Sequence, residues 1–294
     1  MGRLVRTKVI ECGSEYRDVE MYLAPSDVRR RRGPRTGIES TAAKTERNNR
    51  EAKKTFVRIS KANFAGGRYI TLTFAKQYRP DTTEEAHKLA RDFFEGVYDR
   101  CARRDIHVRV VYVVEVGRRG GLHVHALVNE AVPIGQLQRW RWGITCIRSV
   151  PANTEDIEKI AGYMVKSPLG KGRHRWYKIG TLSEPVVTAD DKQVTPSEFW
   201  AMFLDGFREG DVMELVARLF PGHRIVYWEG YFCGQMESPY LSVSLERRPK
   251  QQKVHNIIAV PHVDDSTENI GGYTSAFLRL MDPDQREVLL QETV

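Results

Sequence analysis

At 294 residues, with 41% hydrophobic and 29% charged side chains, the chain has material for a sizeable core and reads as a globular protein. The excess of 46 Lys and Arg over 38 Asp and Glu gives a net charge of +8, which favours a polyanionic partner, above all nucleic acid. No apolar run suits a secretory signal or a membrane helix, so a cytoplasmic protein is expected. Cys12, Cys101, Cys146 and Cys233 are scattered without a Cys-x-x-Cys pair, which fits reduced thiols and argues against a disulfide frame or a zinc ribbon.

The charge is uneven: residues 1–68 hold 17 Lys and Arg against 8 Asp and Glu, whereas residues 251–294 hold 3 against 7. Residues 1–40 read as a basic arm, irregular apart from short strands near Leu4–Glu11 and Val19–Leu23, with a dense run at Arg29-Arg30-Arg31-Arg32-Gly33-Pro34-Arg35. Such an arm adds salt-sensitive DNA affinity without reading sequence. Ser40–Asn63 is rich in helix formers and stops at Gly66-Gly67. Tyr69–Ala75 alternates as a strand, and Thr82–Arg104 carries a helical stripe of Leu89, Phe93, Val97 and Cys101. After a hairpin at 108–129 come a short helix over Ile134–Trp142 and a strand over Ile144–Val150.

Asn153–Ser167 reads as a helix, with Asn153 or Thr154 as N-cap and acidic residues in its first turn. Its face of Ile157, Ile160, Ala161 and Met164 is apolar; Asp156, Lys159, Tyr163 and Lys166 form another stripe, and Pro168-Leu169-Gly170 ends it. From Tyr69 the order is β-α-β-β-α-β-α. That suits an α+β fold: an antiparallel sheet with helices on one side, ferredoxin-like or RRM-like. A small α/β region spans 187–250, with helices opened by Thr195-Pro196-Ser197-Glu198 and over Asp211–Phe220, and strands at Arg224–Trp228 and Tyr240–Glu246. Residues 251–294 form a polar acidic tail with one short helix near Thr274–Leu280.

The hairpin carries the chemistry. Gly117-Arg118-Arg119-Gly120-Gly121 breaks two β-rich arms, and folding about Arg119 sets Glu115 opposite His123 and Val113 opposite His125. Strand side chains alternate faces, so Glu115, His123 and His125 share one face. Two imidazoles and a carboxylate there make a three-ligand site for a divalent ion with open positions.

Three motifs in order, ITLTF at 70–74, His123-Val124-His125, and Tyr163-Met164-Val165-Lys166, resemble the HUH endonucleases, specifically the rolling-circle replication initiators of plasmids and phages. The resemblance covers roughly 45–186, so the chain divides into the arm at 1–40, an endonuclease domain at 41–186, the region 187–250 of unassigned role, and the tail. It implies that Glu115, His123 and His125 bind Mg²⁺ or Mn²⁺, that Tyr163 is the nucleophile, and that Lys166 assists it. Arg175-Trp176-Tyr177 and Leu182–Pro185 also resemble the stretch beyond the catalytic helix in such initiators. Arg118, Arg119, Lys159, Arg173 and Arg175 are the cations expected on DNA. The implied partners are single-stranded origin DNA, a host helicase and polymerase supplied in trans, since no G-x-x-x-x-G-K-[ST] occurs, and a second protomer if a homodimer forms. With one Tyr on the helix, termination needs that protomer, a second strand, or another nucleophile.

Two other readings compete. A DNA-binding module would keep the fold without the chemistry. A cupin matches Gly117-x5-His123-x-His125-x4-Glu130 but needs strands where 82–104 and 153–167 read as helices, and Arg173 stands in place of its fourth ligand. Trp140, Trp142, Trp176 and Tyr177 are aromatic candidates for base stacking, with core packing favoured for the first two.

Overall fold

The structure is a computed structural model that describes residues 3–25, 42–117, 120–166, 176–204, 206–234 and 237–248. Its elements in chain order are β1 (Arg3–Cys12), β2 (Tyr16–Pro25), α1 (Ala42–Phe64), β3 (Arg68–Thr73), a 3-10 turn (Lys76–Tyr78), α2 (Thr83–Ala102), β4 (Val110–Val116) and β5 (Leu122–Val128). Next come α3 (Ile134–Leu137), β6 (Thr145–Ser149), α4 (Thr154–Met164), β7 (Tyr177–Ile179), β8 (Val186–Asp190), α5 (Pro196–Phe203), α6 (Glu209–Leu219), β9 (His223–Cys233) and β10 (Ser238–Arg247). Among the described residues this is an α+β protein with two antiparallel five-stranded sheets and six helices.

One sheet has the order β6-β3-β5-β4-β7. β3 and β4 both pair antiparallel to β5, so they run parallel with one strand between them, and α2 is the crossover of this split βαβ unit. The even-numbered Ile70, Leu72, Val110, Tyr112, Val124 and Ala126 face α2, whose Ala86, Ala90, Phe93, Phe94 and Val97 complete one core. Each large side chain so buried contributes about 1.5–3 kcal/mol. The opposite face is covered as well: Val111, Val113 and Leu127 pack against Phe56, Ile59 and Phe64 of α1 and Ile157, Ala161 and Met164 of α4. The expectation of helices on one side is therefore corrected. It holds for α2 and α3, but α1 and α4 each carry an apolar stripe that claims the second face.

The second sheet, β8-β1-β2-β10-β9, joins residues from both ends of the described chain. Residues 3–25, read as part of an irregular arm with short strands, form two ten-residue strands in full register from Arg3↔Pro25 to Cys12↔Tyr16. β10 pairs with β2, so the region read as a separate 187–250 unit shares its sheet with the N-terminus. Val5, Val19, Met21, Leu241, Val243 and Leu245 face α5 and α6. On the other face Ile10, Cys12 and Tyr16 meet α1, which therefore lies between the two sheets.

That interlayer also holds buried charge. The Lys61 ammonium, its side chain 0% exposed, pairs with Asp18 of β2 at 2.9 Å and with Glu158 of α4, and Arg58 bonds Asp18 at 2.8 Å. Ser244 of β10 donates to Glu158 at 3.0 Å. Burial alone would raise the Asp18 pKa, but Lys61 and Arg58 outweigh it and hold the carboxyl below its usual value. The network ties α4 to the second sheet through α1. The Arg29–Arg35 run, the Pro168–Gly170 stop, the helix near 274–280 and the tail 251–294 lie outside the described residues.

Candidate active site

The expected register is observed: Glu115 is opposite His123 and Val113 opposite His125, and β3 adds Thr73 opposite His123 and Thr71 opposite His125. The turn is closed by Gly117 N–H to Gly121 O at 2.7 Å, with Gly120 in the left-handed region at φ 74°. Glu115, His123 and His125 thus share the face that α1 and α4 cover in part.

On that face the Glu115 carboxylate bonds His125 Nε2 at 2.9 Å and Lys166 Nζ at 3.1 Å. Burial would raise the Glu115 pKa; the bonds and charges of His125 and Lys166 reverse this and bring it to about 2. The other His125 nitrogen, Nδ1, faces the Tyr69 hydroxyl at 2.7 Å and Thr71 Oγ1 at 3.3 Å, and the Tyr69 and His125 rings lie parallel. Burial also raises the Tyr69 pKa. Burial, the neighbouring His125 charge and Arg79 lower the His123 pKa, against the pull of Glu115, which favours a neutral imidazole.

Tyr163 enters from α4. Its ring stands edge-on to His125 with centroids 5.8 Å apart, and Lys166 Nζ lies 3.9 Å from the ring centroid. Asn153 caps the helix by accepting from Asp156 N–H at 2.9 Å, as one of the two expected caps. The helix ends at Met164, however, and Lys166 comes after the Val165 cap instead of continuing the helix. In the sequence Pro168 follows four residues after Met164, and a proline biases the residue before it away from helical backbone. Released from the helix, the Lys166 side chain turns back over Tyr163 towards Glu115. Burial disfavours its charge, but Glu115 and Tyr163 more than compensate and raise its pKa.

Two ligands of one octahedral ion at right angles lie about 3 Å apart; Glu115 Oε2 and His125 Nε2 are separated by 2.9 Å. A polar partner on Nδ1 is the usual support of a metal-binding His, and Tyr69 occupies that place. The third ligand is not gathered in. The His123 ring is 6.4 Å from His125 at 84°, and among the described residues no three His, Cys, Asp or Glu form a metal-binding group. The structure therefore assembles Glu115, His125, Tyr163 and Lys166, with His123 beside them on the same face.

Lys159 lies one turn before Tyr163 and pairs with Glu155 at 2.7 Å. Arg118, Arg119, Arg173 and Arg175 lie outside the described residues. Trp140 is buried and donates to Thr73 O at 2.8 Å, Trp176 packs on Phe56, and Tyr177 stacks on His87 with centroids 3.6 Å apart, so these aromatics serve packing. The helices α2 and α4 exclude the cupin reading, which required strands at both places. Sequence reasoning misses Tyr69 and Thr71 as site residues, although they sit at odd positions of an alternating strand whose even positions are apolar.

No helix among the described residues is long and apolar enough to cross a membrane. Among solved structures, the hypothetical protein ORF119 from Sulfolobus islandicus rod-shaped virus 1 is 23% identical over 38% of this chain and 90% of its own, with a TM-score of 0.29. No curated protein matches the chain. Residues 67–168, which hold β3 to α4 together with Glu115, both His, Tyr163 and Lys166, match the model of the family described as Replication-associated protein ORF2/G2P.

Proposed function

We propose that this protein initiates rolling-circle replication, as the replication-associated match over 67–168 implies, by nicking and rejoining single-stranded origin DNA of a plasmid or phage. The observation that carries the reading is the meeting of Tyr163 and Lys166 with the Glu115–His125 pair, delivered by separate elements onto one sheet face.

The Tyr163 hydroxyl oxygen attacks the phosphorus of a phosphodiester. The bond from phosphorus to the 3′-oxygen breaks, and the strand beyond the nick becomes linked through its 5′-phosphate to Tyr163. The leaving 3′-oxygen takes up a proton as the phenol gives one up, so one ester replaces another. An incoming 3′-hydroxyl reverses the exchange without external energy. Lys166, against the Tyr163 ring, favours the phenolate as it forms and offsets charge on the phosphate. Glu115 and His125 would hold Mg²⁺ or Mn²⁺, with His123, on the same face, as a third ligand. Such an ion would supply Lewis-acid polarisation of a non-bridging phosphate oxygen at the site of attack.

Mass spectrometry of the reaction stalled on a single-stranded substrate tests the assignment. The nucleotide mass is expected on the peptide that contains Tyr163, and its appearance on another residue moves the nucleophile.

A further inference from the structure

Beside the site, at the end of the sheet where β3 leaves and β6 enters, two segments run together. Ala75 N–H donates to Trp142 O at 2.8 Å and Thr73 N–H to Ile144 O at 3.0 Å, so the lead into β6 continues the ladder past the strand ends. Gly143 permits this approach, since a Cβ there would sit 2.1 Å from Thr73 O. Over residues 74–80 and 138–150 the two segments carry five cations, Lys76, Arg79, Arg139, Arg141 and Arg148, and no Asp or Glu.

The side chains are arranged for a strand of nucleic acid. Tyr78 is 49% exposed between Lys76 and Arg79, and Arg141 lies over the Trp142 ring at 4.7 Å. Arg148 comes directly after Ile147, which packs on the α2 side of the sheet, so Arg148 falls on the opposite face, opposite Tyr69 in register. Arg6, Arg91, Arg218 and Arg224 are each closed on a carboxylate. Arg79 and Arg148 have no ion-pair partner among the described residues. Cations with no carboxylate partner among the described residues, next to an exposed aromatic ring and leading to His123 and His125, are what a phosphate backbone with unstacked bases requires.

We propose that this rim, formed by Lys76, Tyr78, Arg79, Arg141 and Arg148, is a binding track for single-stranded DNA that leads into the candidate site, with Tyr78 stacking on a base and the arginines on phosphates. The track rests on the nicking reading for its role, but its binding is measurable without cleavage.

The test is fluorescence anisotropy of the full chain carrying Tyr163→Phe, titrated with a labelled single-stranded oligonucleotide at several salt concentrations. Tyr78→Ala is expected to weaken binding about tenfold with the salt slope unchanged, because a stacked base carries no counterion. Arg79→Gln and Arg148→Gln are each expected to weaken binding and lower the slope of log K against log salt by about 0.7, while Arg79→Lys keeps it. Arg104→Gln, an exposed cation just past α2, is the control and is expected to bind like its parent. Unchanged affinity and slope in Tyr78→Ala, Arg79→Gln and Arg148→Gln overturn the track, as does a parent that binds no single strand. If Tyr163 forms its DNA adduct while the rim variants bind normally, the track alone fails. If the rim variants lose binding while the wild type forms no adduct, the track stands and the nicking reading falls.

Discussion

The Tyr69 hydroxyl lies 2.7 Å from His125 Nδ1, on the ring edge remote from Glu115. It orients the imidazole so that Nε2 meets the carboxylate at 2.9 Å. A strand residue with no direct part in the chemistry thereby sets the direction of a candidate ligand. Tyr69→Phe keeps the half-buried ring and removes the hydroxyl with its bonds to His125 and Thr71. Loss of such support lowers metal affinity by roughly 10–100-fold. Isothermal titration with Mn²⁺ should show that weakening while the thermal midpoint changes little; equal affinities would mean that Tyr69 does not orient His125.

The interlayer charge network predicts an acid-sensitive fold. Asp18 and Glu20 both have lowered pKa values: burial raises them, and Lys61 with Arg58 for Asp18, and Arg58 with Lys8 for Glu20, overcome it. A depressed carboxylate contributes stability that is fully present above its unfolded value, about 4, and is lost as pH falls through its folded value. In denaturant midpoints, the network's share of stability should therefore be constant down to about pH 5 and decline below about 4, after an earlier, separate loss below about 6.5 from His123, whose pKa is lowered on folding. A midpoint that held steady from about pH 5 to about 3 would rule the network out as a source.

Lys61→Met removes the cation between Asp18 and Glu158, leaving the buried Asp18 with Arg58 as its cation and the half-buried Glu158 with the Ser244 hydroxyl. Breaking a buried pair in this way costs about 3–5 kcal/mol. Urea unfolding should register that loss. Because Glu158 belongs to α4, the helix of Tyr163, Lys61→Met should also lower activity at temperatures where the protein is still folded.

Gly143→Ala places a methyl group on the Thr73 carbonyl, where the ideal position is 2.1 Å from the oxygen. Backbone must move to admit it, at a cost of roughly 1–3 kcal/mol. Gly135→Ala meets nothing within 4 Å and should be neutral or slightly stabilising in its short helix. Similar midpoints for both variants would show that the 140–144 segment is not held against β3.

The legible features of the chain are local. Period-two alternation gives the register of Glu115, His123 and His125, and capping chemistry locates α4 and the Thr195/Glu198 box of α5. The illegible ones are long-range. Arg58 and Lys61 look like ordinary solvated cations of a basic helix, and their partners Asp18 and Glu20 lie about forty residues away on a strand of another sheet. β8 presents Val186 and Val187 to solvent, so no buried face marks it, and β7 is too short for periodicity. Tyr-x-x-Lys has helical spacing and so predicts Lys166 on the helix, whereas the helix ends at Met164 with Val165 as its cap.

If Tyr163 bonds covalently to DNA, a denaturing-gel assay will trap the adduct. The protein and its Tyr163→Phe variant are incubated with Mn²⁺ or Mg²⁺ and single-stranded DNA from around its own gene. A slower-migrating band that resists SDS, needs the metal, and is absent from Tyr163→Phe is the expected result. A band of equal strength in Tyr163→Phe would contradict the account and place the nucleophile on another residue.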